Sequence, residues 1–494
     1  MPRRDAGGRA SRRRRERPAA LPADARPRHA GHAALRAPPL LAARRPPVGA
    51  PRLLAPRADR ARREGGDRAA RRAAPPPARP GRRRRGGERR PVTAAPGRYD
   101  AIVVGAGPAG AATAILLAER GLEVLVLDRA RFPRPKLCGE YLSPEAARIL
   151  DRLGALKAVD AAGAVPLLGM RITAPDGTVV QGVYRAVGDW RPYREHAMGV
   201  ARATLDGVLA DRLRALPLDF REETRVTGVG LEGGRVASVE AVDAGGRPVR
   251  FGARLVVGAD GRASVVAQRL GCRRPHRLRR MALVTYVADV PGAGGAGEIF
   301  VDPPDYAILN PLAADRVNMS LVVPLADGAR WSDRLETFLA ARVRQMPHLG
   351  RRLAGARRVA PVQAMGPLAW DVKPPREGGV LLVGDAAGFY DPFTGEGVFT
   401  ALRGAELAAE VAAAALRAGD CSAAGLAPYE RARRAAFADK ERFTRALQFL
   451  VRRRRLANVA ARVLARRPAL VDLLLGVAGD YVPPRALLRG LAAR

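Results

Sequence analysis

The chain has 494 residues, of which 47% are hydrophobic and 27% charged, and its formal net charge is +38. That length accommodates two or three domains. Three cysteines (Cys138, Cys272, Cys421) exclude a disulfide framework and any cysteine-based metal spacing, fit a reducing cytoplasm, and leave no metal expected. No run of 18 apolar residues occurs, which excludes a membrane-spanning helix.

The charge is unevenly spread. Residues 1–97 hold 28 arginines against 7 acidic residues, more than half of the excess. The segment is mostly Arg, Ala, Pro and Gly, with runs at Arg12–Arg15 and Arg82–Arg85 and no steady apolar period. It cannot bury enough apolar surface to offset chain entropy, so residues 1–97 are expected to be a disordered tail. It offers arginine for phosphates but no Phe, Trp or Tyr to stack bases, so no nucleic-acid partner is expected. No apolar core with a cleavage site marks a secretory signal. A simpler reading is upstream sequence translated from a misassigned start, with Val92 the first residue if its codon is GTG.

From Tyr99 the pattern changes. YDAIVVGAGPAGAATAILLAERGLEVLVLD reads as strand, tight turn, helix, strand. Ile102–Val104 suits a strand buried on both faces. Gly105, Gly107 and Gly110 stand at GxGxxG spacing: the first for the turn, the second for approach of a diphosphate, the third for helix–strand contact. The free N–H groups and dipole at the helix start attract phosphate. Asp128 closes the second strand, where a carboxylate accepts from both hydroxyls of a ribose; an acid there favours NAD or FAD over NADP. Strand, helix and acid together make the glycine pattern a dinucleotide signal.

Next, Cys138-Gly139-Glu140 falls in a proline-rich loop, and Ser143-Pro144 opens a helix. The plain alternative for Cys138 is a small buried residue. Residues 169–187 read as a hairpin turning at Asp176-Gly177. Arg202 precedes a helix carrying Leu205, Val208, Leu209, Leu213 and Leu216, and its plain reading is a solvated charge. Leu255–Val257 runs into Gly258-Ala259-Asp260-Gly261. Residues 281–323 alternate like antiparallel strands and form a second, inserted sheet. Tyr306, Ile308, Asn310 and Pro311 lie on its middle stretch, facing either a substrate pocket or the core. Val380–Val383 is a buried strand that ends in Gly384-Asp385. Gly395-Glu396-Gly397 then opens a helix from about Val398, presenting a positive dipole end. Past residue 405 the chain is helical and basic, with Arg452–Arg455 on either a solvated face or one lying on anionic lipid.

Four blocks, GAGPAG with Asp128, PKLCGEYLSPEA, GADGRAS and GDAAGFYDPFTGEGV, resemble the flavoprotein superfamily of para-hydroxybenzoate hydroxylase fold. Within it, the chain is most similar to the geranylgeranyl reductase-type oxidoreductases. The resemblance implies an α/β fold: a Rossmann-like FAD-binding domain (98–170, 196–280 and 376–410), an inserted antiparallel β-sheet substrate domain (171–195 and 281–375) and C-terminal helices (411–494). It implies that Gly105, Gly107 and Gly110 hold the FAD diphosphate and Asp128 the adenosine ribose, with Ala109 and Arg129 also at the cofactor. Arg202 and Asp260 would lie near the cofactor, Gly384 and Asp385 at its diphosphate–ribityl portion, and Gly395, Glu396 and Gly397 beside the isoalloxazine. Cys138 and Tyr306 would be the catalytic side chains.

The implied reaction is hydride transfer from reduced FAD to a carbon–carbon double bond of a hydrophobic substrate, with NAD(P)H or another reduced carrier as electron donor. The alternative is hydroxylation by an FAD-dependent monooxygenase. A basic binding protein with a vestigial FAD site is a third class, which yellow flavin absorbance would exclude. The implied location is cytoplasmic, with peripheral membrane contact through the basic helices. Where the reductase group carries Tyr-x-Trp-x-Phe-Pro, this chain has Tyr306-Ala307-Ile308-Leu309-Asn310-Pro311, which weighs against a long prenyl substrate. The Trp-x-Trp-x-Ile-Pro motif of the related halogenases is absent, since Trp190, Trp331 and Trp370 stand alone.

Overall fold

A computed structural model of the protein describes residues 93–487, with side chains from Arg98 onward. The expectations for the arginine-rich tail and for Val92 fall outside the described residues, apart from residues 93–97, which begin the first strand.

That strand, Thr93–Val104, lies parallel between Val124–Leu127 and Pro248–Gly258. Its apolar run is explained by two buried faces. Ala101 and Val103 join a core with Ile115, Leu205 and Leu402, while Ile102 and Val104 join one with Val226, Val239, Phe251 and Val266. The sheet has seven strands, and Val380–Leu382 pairs in parallel with the end of Pro248–Gly258. Three strands therefore end side by side in the Gly105 turn, the Gly258–Gly261 turn and the Gly384–Asp385 turn, at the carboxyl edge where ligands bind in open α/β sheets.

The helix Pro108–Ala118 (PAGAATAILLA) is buried along its whole length. It packs with the 22-residue helix Gly397–Ala418, which is itself rich in alanine. Small side chains on both helices allow the close approach.

The second sheet has ten strands. Its centre is the meander Gly295–Asp302, Asp305–Ala313 and Arg316–Pro324, with Arg280–Ala288 pairing antiparallel to the last of these. The expected hairpin is present, Val165–Thr173 pairing with Val179–Val183, and its first strand runs parallel to Gly295–Asp302. Tyr141–Leu142 and Ala197–Gly199 also pair into this sheet. Both strands, and the start of Val165–Thr173, fall within the bounds that the resemblance implies for the first domain, yet they pair into the second sheet.

One face of the second sheet is covered by Phe338, Leu339 and Leu349 from the helices Leu335–Gln345 and Pro347–Arg352. The other meets the C-terminal helices Ala423–Val451, Arg454–Ala465 and Pro468–Ala478 through Leu447, Val451, Ala457, Ala461 and Val471. Among the described residues no helix is long and apolar enough to cross a membrane.

Candidate cofactor and substrate site

A cavity of about 1430 Å³ runs from the glycine turn to the inner face of the second sheet. Single-ligand pockets span roughly 300–1,000 Å³, so this one has room for a cofactor and a substrate together.

The glycines of the turn have separate jobs. A Cβ on Gly110 would sit 1.7 Å from the Gly105 carbonyl oxygen, so Gly110 serves packing and does not line the cavity. Gly105, at φ +97°, would meet the Ala259 oxygen at 2.6 Å. Gly107 is different: its nearest neighbour is Arg134 Nη2 at 3.8 Å, and it faces the cavity. Gly107 therefore leaves open the space that a diphosphate needs, and Ala109 lines the same space.

Asp128 and Arg129 line the cavity too. Asp128 Oδ2 accepts from Ala106 N (2.8 Å) and Oδ1 from Ala130 N (2.9 Å), which fixes the carboxylate while each oxygen keeps acceptor capacity. Asp260 Oδ2 accepts from Val265 N (2.6 Å), and its Oδ1 is buried with no partner among the described residues. Burial pushes its carboxyl above the usual range. An orphaned acceptor in this wall fits a hydroxyl-bearing cofactor. Asp385, Gly395 and Gly397 line the cavity, whereas Gly384 packs against Ala109 and Glu396 points away.

The solvated reading of Arg202 fails. It is 6% exposed, is the first residue of the helix Arg202–Arg214, and donates to both oxygens of Asp206 at 2.9 Å. Arg134 also lies 3.1 Å from Asp206. Lys136 lines the same wall, its ammonium pushed down by burial and by Arg202. Arg202 and Arg134 share the single carboxylate of Asp206, two guanidiniums to one acid beside the space that Gly107 leaves open. This matches a diphosphate. The sequence reading missed Arg134 and Lys136, for which the only signal was a cluster of basic residues between Arg129 and Lys136.

Cys138 is half-buried and lines the cavity, so the buried-residue alternative does not hold. Its loop is strapped to the second sheet. Asn318 Nδ2 donates to Cys138 O (2.9 Å) and Asn310 Nδ2 to Gly139 O (2.7 Å). Glu140, buried at φ +56°, accepts from Arg202 N (2.8 Å), Tyr286 Oη (3.1 Å) and Asn318 Nδ2 (2.9 Å). Tyr306 does not reach the cavity. It is 1% exposed, its hydroxyl donates to Asp391 (2.7 Å), and its ring lies edge-on to Phe393. It belongs to the core. Two other tyrosines line the cavity, Tyr141 and Tyr184, with their hydroxyls 2.6 Å apart.

Behind the Gly395–Gly397 turn, Lys440 Nζ donates to Asp480 Oδ1 (2.7 Å) and lies 3.5 Å from Glu396 Oε1. Burial pushes the Glu396 carboxyl up to about 7, against the pull of Lys440. A carboxyl whose pKa is raised in the fold stabilises fully below its unfolded value and loses that contribution as pH rises through the folded one. Thermal unfolding of the native chain should therefore show stability falling between about pH 5 and pH 8. In Glu396→Gln that fall should flatten; an unchanged profile would assign it to other groups.

Comparison with known proteins agrees with this geometry. Residues 98–444 match the family described as FAD binding domain. Digeranylgeranylglycerophospholipid reductase of Methanoculleus marisnigri is 28% identical over 67% of this chain and 81% of its own length. Menaquinone reductase of Mycobacterium tuberculosis is 31% identical over 63% of this chain and 76% of its own. Among solved structures, the myxobacterial chondrochloren halogenase, an FAD-dependent halogenase, aligns with a TM-score of 0.66 at 27% identity, covering 71% of this chain and 82% of that one.

Proposed function

We propose, from the premise that the chain belongs to the FAD binding domain family of the para-hydroxybenzoate hydroxylase-type superfamily of FAD-dependent oxidoreductases, that it reduces a carbon–carbon double bond of a hydrophobic, isoprenoid or polyketide-like substrate. FAD, when bound, supplies the two-electron chemistry, and NAD(P)H or another reduced carrier supplies the electrons. Gly107 and the cations around Asp206 hold the diphosphate, Asp128 the adenosine ribose, and Asp260 and Asp385 further hydroxyls. Gly395 and Gly397 leave space beside the helix start for the ring system.

The observation that carries the substrate class is the other half of the cavity. Ile172, Val284, Ile308 and Val322 line it from the sheet, and Leu447 and Leu474 from the C-terminal helices. Cys138 lines the same cavity, its carbonyl held by Asn318 of the sheet. The relatives named for a glycerophospholipid and for menaquinone support the same class. The test uses FAD-loaded protein, reduced anaerobically and offered isoprenoid and polyketide alkenes. A saturated product is expected. A hydroxylated product formed only with oxygen would replace this reading with the monooxygenase one.

Isoprenoid lipids reside in membranes, and the chain carries a face suited to one. Phe449 (54% exposed), Leu456, Val459 (56%) and Val463 project from the helices Ala423–Val451 and Arg454–Ala465. Eight arginines and no acidic residue lie between residues 443 and 471. An apolar stripe with a basic surround suits an anionic lipid surface. Co-sedimentation with phosphatidylglycerol vesicles should be strong at low salt and weak with phosphatidylcholine. The double change Val459→Asp and Val463→Asp should abolish it with flavin content intact.

A further inference from the structure

A second, smaller cavity of about 420 Å³ adjoins the first. Gln268 and Trp370 line both. Its other walls include Arg273, Arg274, His276 and Arg279. Between residues 269 and 280 the chain carries six arginines and one histidine, and no acidic residue occurs between Asp260 and Asp289. The cations are partly fixed in place. Arg273 lies over the Trp370 ring at 5.2 Å and donates to Arg262 O (2.7 Å), while Arg274 donates to Gly271 O (2.6 Å) and Arg273 O (2.8 Å). Their hydrogen-bond partners are backbone carbonyls, which carry no formal charge. Asp371, opposite Arg274 in the short strand pair, is an exposed acid beside them. Arg262, in the wall of the first cavity, is crowded by Arg273, which adds to burial in pulling its guanidinium below the usual range.

Arginines held this way bind phosphate in paired hydrogen bonds. The volume is within the range of a small-molecule pocket, at its lower end. Its boundary with the cofactor cavity is Trp370, whose indole N–H donates to Asp385 O (3.0 Å). We propose that this groove seats the phosphates of the electron donor, and that the donor is a nicotinamide dinucleotide bearing a 2′-phosphate. The proposal rests on the flavin-dependent reading above and gives that reading a docking place for its donor. It concerns a different site from the Gly105 turn, where Asp128 selects a free ribose.

The test titrates the FAD-loaded full chain, by calorimetry, with 2′-phospho-ADP-ribose and with ADP-ribose, both of which lack the redox-active ring. The phosphorylated probe should bind more tightly and lose affinity as salt rises. The double variant Arg274→Ala and Arg279→Ala, at two exposed positions, should bind it at least about tenfold more weakly. Its flavin content and its reduction by dithionite should match the native protein. Equal affinity in the double variant overturns the assignment. So does absence of probe binding by flavin-loaded native protein at low salt, an outcome that leaves the oxidoreductase reading standing. Reduction only by an acidic carrier protein, lost in the double variant, would give the same arginines to a protein partner instead. Failure of the native chain to hold FAD would strike the function itself.

Discussion

Gly107→Val is expected to yield a folded protein without FAD, and Gly110→Ala a protein that does not fold normally. The two glycines are three residues apart in one motif, yet they do opposite things. Gly107 has φ −69° and ψ −178°, a conformation open to any residue, and among the described residues, its chain neighbours aside, the nearest atom to its Cβ position is Arg134 Nη2 at 3.8 Å. A valine there occupies only the space kept for the diphosphate. Gly110 would place a methyl 1.7 Å from a backbone oxygen. The clash is with main chain on a turn that holds the first helix against the sheet, so relief means moving the helix Pro108–Ala118. Overpacking of this kind costs about 1–3 kcal/mol and more when backbone must shift. Circular dichroism and thermal melting report the fold, and absorbance of the released flavin reports the cofactor. Stoichiometric FAD in Gly107→Val would refute its placement here.

Asp206→Ala should cost about 3–5 kcal/mol, because it leaves buried cations without their counterion. Asp206 is fully buried and holds Arg202 and Arg134 at 2.9 and 3.1 Å. Domains of ordinary stability have about 5–15 kcal/mol in total, so the variant should be marginal. The loss should be smaller when FAD is bound, since the diphosphate takes over part of the neutralisation. Chemical denaturation with and without added FAD measures both effects. A loss under about 1 kcal/mol in both conditions would mean that water already compensates the arginines.

The cofactor half of the site was legible in the sequence because its constraints are local. A strand, a glycine turn and an acid at fixed spacing specify their own geometry, and the strands before Gly258 and Gly384 announce themselves as short apolar runs. What escaped reading was set by contacts distant in sequence. Arg134, Lys136 and Glu140 sit in a proline-rich loop without a period, and their roles come from Asp206, Asn318 and Tyr286. Tyr306 shows the same limit. It shares strand parity with Ile308 and Asn310, which do line the cavity. Parity gave its side of the sheet, but Asp391 and Phe393, 85 and 87 positions further on, cover it.

The two ends of the large cavity differ in how they tolerate inheritance. The cofactor end is shaped by main chain: at Gly105 and Gly110 almost any side chain collides with a carbonyl, so the turn tolerates little drift and the cofactor stays the same. The far end is shaped by interchangeable branched side chains on the second sheet and the C-terminal helices. Swaps of similar volume among such residues cost less than about 1.5 kcal/mol. A lineage can thus exchange one greasy substrate for another while its redox engine remains untouched. Descendants of such a fold should differ in what they bind at the far end while they keep one cofactor at the near end.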